Sequence, residues 1–164
     1  MVLQLFSALL LIFHNWWGGT IVPVDRVPVE WVTTTGVVAH IVDGDTIDVR
    51  LADVTTVRVR YIGIDTPEVQ PQPECGNASA TARNRDLVFG KTVTLVPGPG
   101  PYDTYGRRLA YVYVGDIFIN QTLLKEGWAE LMMIPPNTAY RPDFEILQTT
   151  ARTQRAGIWS CSGR

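Results

Sequence analysis

From Val37 onward, short β-branched runs alternate with turn residues. Val37 to Val42, Thr46 to Leu51 and Val57 to Ile64 are bounded by Asp43-Gly44 and Ala52-Asp53, and they predict three strands in a meander. The pattern then changes. Between Asn77 and Phe89 the alanines 78, 80 and 82, Leu87 and the charged Arg83, Arg85 and Asp86 suit a helix that stops at Gly90. Strands return at Thr92 to Val96 and Leu109 to Val114, with Gly115-Asp116 as a hairpin signal before Ile117 to Ile119. Asn120 is placed to cap a helix running through Glu126 and stopped by Gly127. Asp143, after Pro142, is placed to cap a last helix that extends to Ala156 before Gly157.

Five or more short strands with a helix inserted after the third predict an α+β fold, a five-stranded Greek-key β-barrel of the oligonucleotide-binding type with about three helices. At 164 residues the chain is expected to hold one such domain, over residues 36–164, with no second core.

Residues 1–17 read as a separate unit. Val2 to Phe13 is apolar except for Gln4 and Ser7, and Trp16-Trp17 follows it, as suits a membrane interface. The run is short for a full span of ~20 apolar residues. It lacks a preceding Lys or Arg and a following Ala-x-Ala site. Export with retention at the membrane fits it best, cleavage and release second, a buried helix least. The expected location is therefore extracytoplasmic, membrane-anchored or secreted. Residues 18–35 read as an extended tether, because Pro23 and Pro28 sit in a Val-rich segment that cannot be helical.

The chemistry concentrates in three turn-bordered motifs: Asp43-Gly44-Asp45-Thr46, Arg60-Tyr-Ile-Gly-Ile-Asp65-Thr66-Pro67-Glu68 and Asp103-Thr-Tyr105-Gly106-Arg107. Carboxylates are hard oxygen ligands for a divalent cation, and Arg is shaped to hold phosphate oxygens bidentately. Asp-Gly-Asp alone would be an ordinary polar turn. Three motifs in register beside strand ends carry far more weight.

These motifs, in this order and with a helix between the second and third, resemble the staphylococcal (micrococcal) nuclease, or thermonuclease, family. The resemblance covers about Gly36 to Trp159 and includes Leu109-Ala110-Tyr111-Val112, Asn120 and Gly157-Ile158-Trp159. It implies a Ca²⁺-dependent phosphodiesterase that cleaves DNA and RNA endonucleolytically, single-stranded regions first, and leaves 3′-phosphate ends. It also implies that Asp45, Asp65 and the Thr66 carbonyl bind Ca²⁺, with Asp43 supporting the site from nearby. Glu68 would orient or deprotonate the attacking water. Arg60 and Arg107 would grip the scissile phosphate, and Tyr105 would contact substrate, although a half-buried loop anchor suits that tyrosine nearly as well. Arg58 and Arg108 fall outside the motif positions and read as solvated surface charges.

The chain departs from the family pattern around the substrate. Thr104 stands in place of a lysine, Leu131-Met132-Met133-Ile134-Pro135 replaces a tyrosine-bearing stretch, and the loop Val69 to Glu74 is Pro/Gln-rich rather than Lys-rich. The chemistry should survive these changes, while affinity and base preference need not.

Composition sharpens the picture only a little. Hydrophobic content of 46% with 18% charged residues excludes a disordered chain. A net charge of −2, with Lys91 and Lys125 the only lysines, leaves no basic stripe. Four of the negative charges belong to Asp43, Asp45, Asp65 and Glu68, and a bound cation would offset about half of them. Affinity for long polyanions should be modest and salt-sensitive.

Cys75 and Cys161 are the only cysteines, and an even pair in an exported domain suggests a disulfide. The resemblance places both near helix ends. His40 should decorate an exposed strand face. Asn77-Ala-Ser79 and Asn120-Gln-Thr122 match the glycosylation pattern, but capping explains both asparagines more simply. A monomer is expected, with membrane association through the N-terminal segment. Two other classes stay open: a non-catalytic single-stranded nucleic-acid-binding barrel, and an interaction domain held at a membrane.

Overall fold

The computed structural model describes residues 32–68 and 71–161. The N-terminal apolar segment, residues 18–31 of the tether and positions 69 and 70 lie outside the described residues. Among the described residues no helix is long and apolar enough to cross a membrane.

The chain runs β1 (Thr34–Ile41), β2 (Thr46–Leu51), β3 (Thr56–Tyr61), β4 (Gly63–Asp65), α1 (Asn77–Val88), β5 (Thr92–Tyr102), β6 (Arg108–Val114), β7 (Ile117–Phe118), α2 (Ile119–Lys125), β8 (Glu130–Met132) and α3 (Arg141–Thr153). A short 3₁₀ turn over Gly157–Ser160 ends the fold. β1 opens at Thr34, so Thr34 and Thr35, expected in the tether, already pair with Leu95 and Thr94 of β5.

The meander β1-β2-β3 forms as expected, each pair antiparallel. β1 then pairs with β5, and β5 with β6. β6 lies parallel to β3, with Val59 opposite Arg108, Arg60 opposite Leu109 and Tyr61 opposite Ala110. That last pairing closes five strands into a barrel, which leaves no open edge between β3 and β6. β4 turns away from the barrel to pair with β8.

Alternation along the strands sends one face inward. Val38, Ile47, Val49, Val59, Tyr61, Leu95, Ala110 and Val112 fill the interior, and Leu123, Leu124 and Phe144 of the helices pack onto them. A smaller cluster of Ala151, Ile158 and Trp159 seals the C-terminal end. There two backbones touch: a Cβ on Gly127 would lie 2.4 Å from the Ala156 carbonyl oxygen, and the Ile158 amide donates to the Gly127 carbonyl at 2.9 Å. Only glycine permits that approach. Beside it, Cys75 and Cys161 are joined in a disulfide across 86 positions, with Cα atoms 6.2 Å apart.

Several local expectations are corrected. Asn120 does not cap α2; Phe118 holds the cap position, and the buried Asn120 amide bridges the Val112 amide (2.9 Å) and the Ile62 carbonyl (2.9 Å). Asn77 is likewise inside α1 after Gly76, and its side chain donates to the Pro67 carbonyl at 2.6 Å. Asp143 lies in the first turn of α3, which begins at Arg141 after Tyr140 and ends at Thr153 rather than Ala156. In each case a tertiary acceptor, or a helix start earlier in sequence, displaces local capping. β5 also runs to Tyr102, six residues beyond expectation, through Pro97-Gly98-Pro99-Gly100-Pro101.

Candidate active site

The Asp43-Gly44-Asp45 turn links β1 to β2. Asp43 Oδ1 accepts from the Asp45 amide at 3.0 Å, which fixes the turn. From behind, the Tyr61 hydroxyl donates to Asn84 Oδ1 (2.9 Å) and Asn84 Nδ2 donates to the Asp43 carbonyl (3.0 Å), tying the turn to α1. Gly44 lets the next loop come close, since a Cβ there would sit 2.6 Å from Thr66 Oγ1. Consequently Asp45 meets Thr66: its Oδ2 accepts from the Thr66 amide at 2.7 Å and the Thr66 hydroxyl at 2.9 Å. Both residues are buried.

Arg60, on β3, lies between the first two motifs. Nη1 is 3.1 Å from Asp45 Oδ2 and donates to the Ile64 carbonyl at 2.7 Å, while Nη2 donates to Asp65 Oδ1 at 2.5 Å. The guanidinium thus bridges the two carboxylates expected to bind a cation. Burial pushes the Asp45 carboxyl up to about 7; Arg60 and the Thr66 donors pull it down, and Asp43 adds to the rise. One guanidinium therefore leaves the buried carboxylate short of positive charge.

Among the described residues, no three His, Cys, Asp or Glu side chains converge as a ready-made metal cage. The donor set nevertheless fits a hard cation. Asp45, Asp65 and Thr66 supply only oxygens, and the electrostatic strain on Asp45 is of the kind that a divalent cation relieves.

Glu68 follows Pro67 beyond β4. Its amide donates to Glu74 Oε2 at 3.2 Å and its carbonyl accepts from the Glu74 amide at 3.0 Å, so the loop closes on itself just before Cys75. The Glu68 carboxylate takes no hydrogen bond from the described residues. Burial raises its pKa, as do Asp65, Asp43 and Glu74, against Arg60. A carboxylate raised in this way is a stronger proton acceptor.

Arg107 closes the third motif. Asp103 accepts from its Nε at 2.5 Å and from the Tyr105 and Arg107 amides at 2.9 Å each. Both Nη groups keep their donors free of acceptors among the described residues. The guanidinium carbon stands 5.4 Å from the centre of the Tyr105 ring, which is 83% exposed. Asp103 was legible as part of its motif, but its clamp on Arg107 was not singled out; an acid four residues before an arginine across a glycine turn is the signal for it.

A cleft of about 560 Å³ gathers Arg60, Asp65, Glu68, Tyr105 and Arg107 on its wall. Asp45, Thr66 and Asp43 lie behind that wall and reach it through Arg60 and the Asp45–Thr66 contacts. Arg58 and Arg108 point elsewhere. Arg58 holds Asp48 in a two-point pair at 2.8 and 3.1 Å, with His40 exposed 3.6 Å from the same carboxylate. Arg108, expected to be a solvated charge, is buried at 5% exposure and donates to the Val32 carbonyl at 3.1 Å. The strand period turns Arg107 and its neighbour to opposite faces, and Arg108 draws the inward one.

A small closed β-barrel that carries acids and arginines on one cleft is the class of protein seen here. The family described as Staphylococcal nuclease homologue matches residues 58–161, and this chain belongs to it. It is 39% identical to a thermonuclease of Staphylococcus intermedius over 126 residues, 74% of each chain. Endonuclease YncB of Bacillus subtilis is 39% identical over 127 residues, 74% of this chain but 60% of that protein's length. A micrococcal nuclease of Shigella flexneri is 35% identical over 141 residues, 79% of this chain and 76% of its own.

Proposed function

We propose that this chain is a Ca²⁺-dependent phosphodiesterase that hydrolyses DNA and RNA endonucleolytically, prefers single strands and leaves 3′-phosphate ends. The observation that carries this reading is the shared cleft, in which two arginines, Asp65 and a glutamate whose carboxylate is unengaged among the described residues face one volume, with Asp45 bonded to Arg60 behind it.

Asp45, Asp65 and the Thr66 carbonyl would hold the cation. When bound, Ca²⁺ supplies Lewis-acid polarisation of the phosphate and the attacking water. Arg107 offers its free Nη donors to the phosphate oxygens, with Asp103 setting its angle. Arg60, held by Asp45, Asp65 and the Ile64 carbonyl, faces the charge that builds on the phosphoryl oxygens. Glu68 takes the proton as the water oxygen bonds to phosphorus, and the bond to the 5′-oxygen breaks with that oxygen taking up a proton from solvent water. Barrel closure and the Asp45–Thr66 contacts keep these groups in place before substrate arrives.

The family relationship supports the reaction class, and the donor chemistry around Asp45 supports the cation. The disulfide and the apolar run of residues 1–17 support action outside the cytoplasm, secreted or held at a membrane. The test is digestion of denatured DNA with Ca²⁺, with and without excess chelator, followed by end-group analysis. Activity should stop with chelation and leave 3′-phosphates. Unchanged digestion in chelator would overturn the metal mechanism.

A further inference from the structure

The outer face of β3 carries a row of three polar side chains. Thr56, Arg58 and Arg60 alternate with Val57, Val59 and Tyr61, which pack into or against the core. Each member of the row lies about 6.7 Å beyond the last along the strand. Arg60 belongs to the cleft already described. Arg58 and Thr56 instead line a second, open groove of about 500 Å³, and Tyr105 and Arg107 line both. The groove therefore begins where the cleft ends, across the Tyr105–Arg107 rim.

Arg58 is prepared there much as Arg107 is in the cleft. Asp48, opposite it on β2, accepts from Arg58 Nε at 2.8 Å and from Nη2 at 3.1 Å, just as Asp103 accepts from Arg107 Nε. Each aspartate fixes one edge of a guanidinium and leaves another edge open. Nη1 of Arg58 meets no acceptor among the described residues. The bonds from Arg58 hold the Asp48 carboxyl below the usual carboxylate range, with His40 3.6 Å away on its other side, so the clamp stays ionised. The Arg58 side chain is 53% exposed, and a ligand can reach it without any movement of the barrel. A lone surface ion pair needs no function. This one sits in a groove that continues a cleft, in line with the arginine of that cleft.

We propose that Arg58 is a second phosphate subsite, which takes the phosphate next to the scissile one as the substrate strand leaves the cleft over the Tyr105–Arg107 rim. This rests on the phosphodiesterase reading of the neighbouring cleft. The two-residue step from Arg60 to Arg58 is comparable with the step between successive phosphates of an extended single strand, and a guanidinium suits the oxygens at the end of that step. The Thr56 hydroxyl, one step further, offers a neutral donor to the same sugar-phosphate chain. A chain with no basic stripe thereby gains a local grip on the strand where its overall charge supplies none.

The test uses the full chain with Ca²⁺ and a thymidine dinucleotide, which has one cleavable bond, bearing no terminal phosphate, a 5′-phosphate or a 3′-phosphate. One of the two terminal phosphates should raise wild-type kcat/KM by about 5-fold, the scale of a partly exposed charge-assisted contact. Arg58→Ala should lose that gain, while the bare dinucleotide, which ends short of Arg58, is cut as by wild type. Arg58→Lys should keep most of the gain, because the charge remains. On denatured DNA, Arg58→Ala should raise KM with kcat near wild type, and the slope of log KM against log salt should fall by about 0.7, the share of one single-strand phosphate. That slope decides alone if the dinucleotides are too short to be cut. A full gain in Arg58→Ala, or an unchanged salt slope, overturns the subsite. An equal loss on the bare dinucleotide also overturns it, since Arg58 would then be supporting the barrel or Arg107. If wild type cuts neither the dinucleotides nor denatured DNA, the phosphodiesterase reading fails first and takes this inference with it.

Discussion

Reduction of Cys75–Cys161 is expected to destabilise the domain while leaving the cleft assembled. The bridge spans 86 positions. Chain-entropy closure of a loop that long corresponds to about 4.6 kcal/mol as an upper value, and native bridges typically contribute ~2–4. The residues around it temper the loss. Ile158 and Trp159 stay packed on Ala151, and the Ile158 amide stays bonded to Gly127 whether or not the sulfurs are joined. For a folded unit of this size, each kcal/mol moves Tm by roughly 3–5 °C, so reduction should lower Tm by roughly 6–20 °C. The assay is calorimetry of the protein with and without reductant, repeated on a Cys75→Ser/Cys161→Ser double variant that reductant does not affect further. Initial rates on denatured DNA at moderate temperature are read alongside. The cleft residues are held by contacts independent of the sulfurs, so those rates should change little. A Tm shift under about 2 °C would mean that the C-terminal packing alone pins the tail, and the entropic argument would fail.

Glu68→Gln should slow turnover by ~10²–10⁴-fold while calorimetry still reads Ca²⁺ binding, whereas Asp45→Asn should weaken Ca²⁺ itself. Arg60→Lys and Arg107→Lys should both be severe in rate assays because an ammonium cannot reproduce the fork, and Arg58→Lys should be mild. Arg108→Lys should leave kcat near wild type but cost ~1–3 kcal/mol in urea unfolding, because Arg108 is buried and bonded to Val32. Burial works to raise the Asp103 pKa, but the donors of Arg107 and Tyr105 hold it below the usual carboxylate value. Its contribution to stability is therefore complete above about pH 4 and lost as pH falls through the depressed value. Asp103→Asn should flatten that acid limb in denaturation measured against pH.

The sequence disclosed most where function and local geometry coincide. Asp43-Gly44-Asp45 needs its glycine for the approach of Thr66, and Asp65 through Glu68 sits where a strand ends, so both motifs carried a shape as well as a chemistry. The parallel pairing of β3 with β6 was not readable, because partners some 50 positions apart leave no periodic trace in either strand. β5 appeared to stop at Val96 because the Pro-Gly repeat after it reads as breakers. The strand continues with a register shift between Pro97 and Tyr102, and Asn137 supplies the amide partners that Gly100 would otherwise lack. The inward turn of Arg108 is unreadable for a related reason. Which of two adjacent arginines faces the interior depends on the register of the whole strand, which neither residue reveals alone.

The parallel pairing of β3 with β6 also has a bearing on how such a site can change. Arg60 and Leu109 are rungs of one ladder, and Arg107 stands two residues before Leu109 at the mouth of β6. The backbones that carry the two cationic groups are thus placed by the pairing of neighbouring strands, whose pitch is ~4.8 Å. The segment between Glu68 and Glu74 and the turn at 133–136 can be rewritten in chemistry without touching that pairing, whereas the turn at 103–106 cannot, because its Asp103 orients Arg107. The molecule is in effect a caliper with interchangeable jaws. Pro and Gln in the first of these, and Met, Ile and Pro in the second, leave the pairing of β3 with β6 untouched.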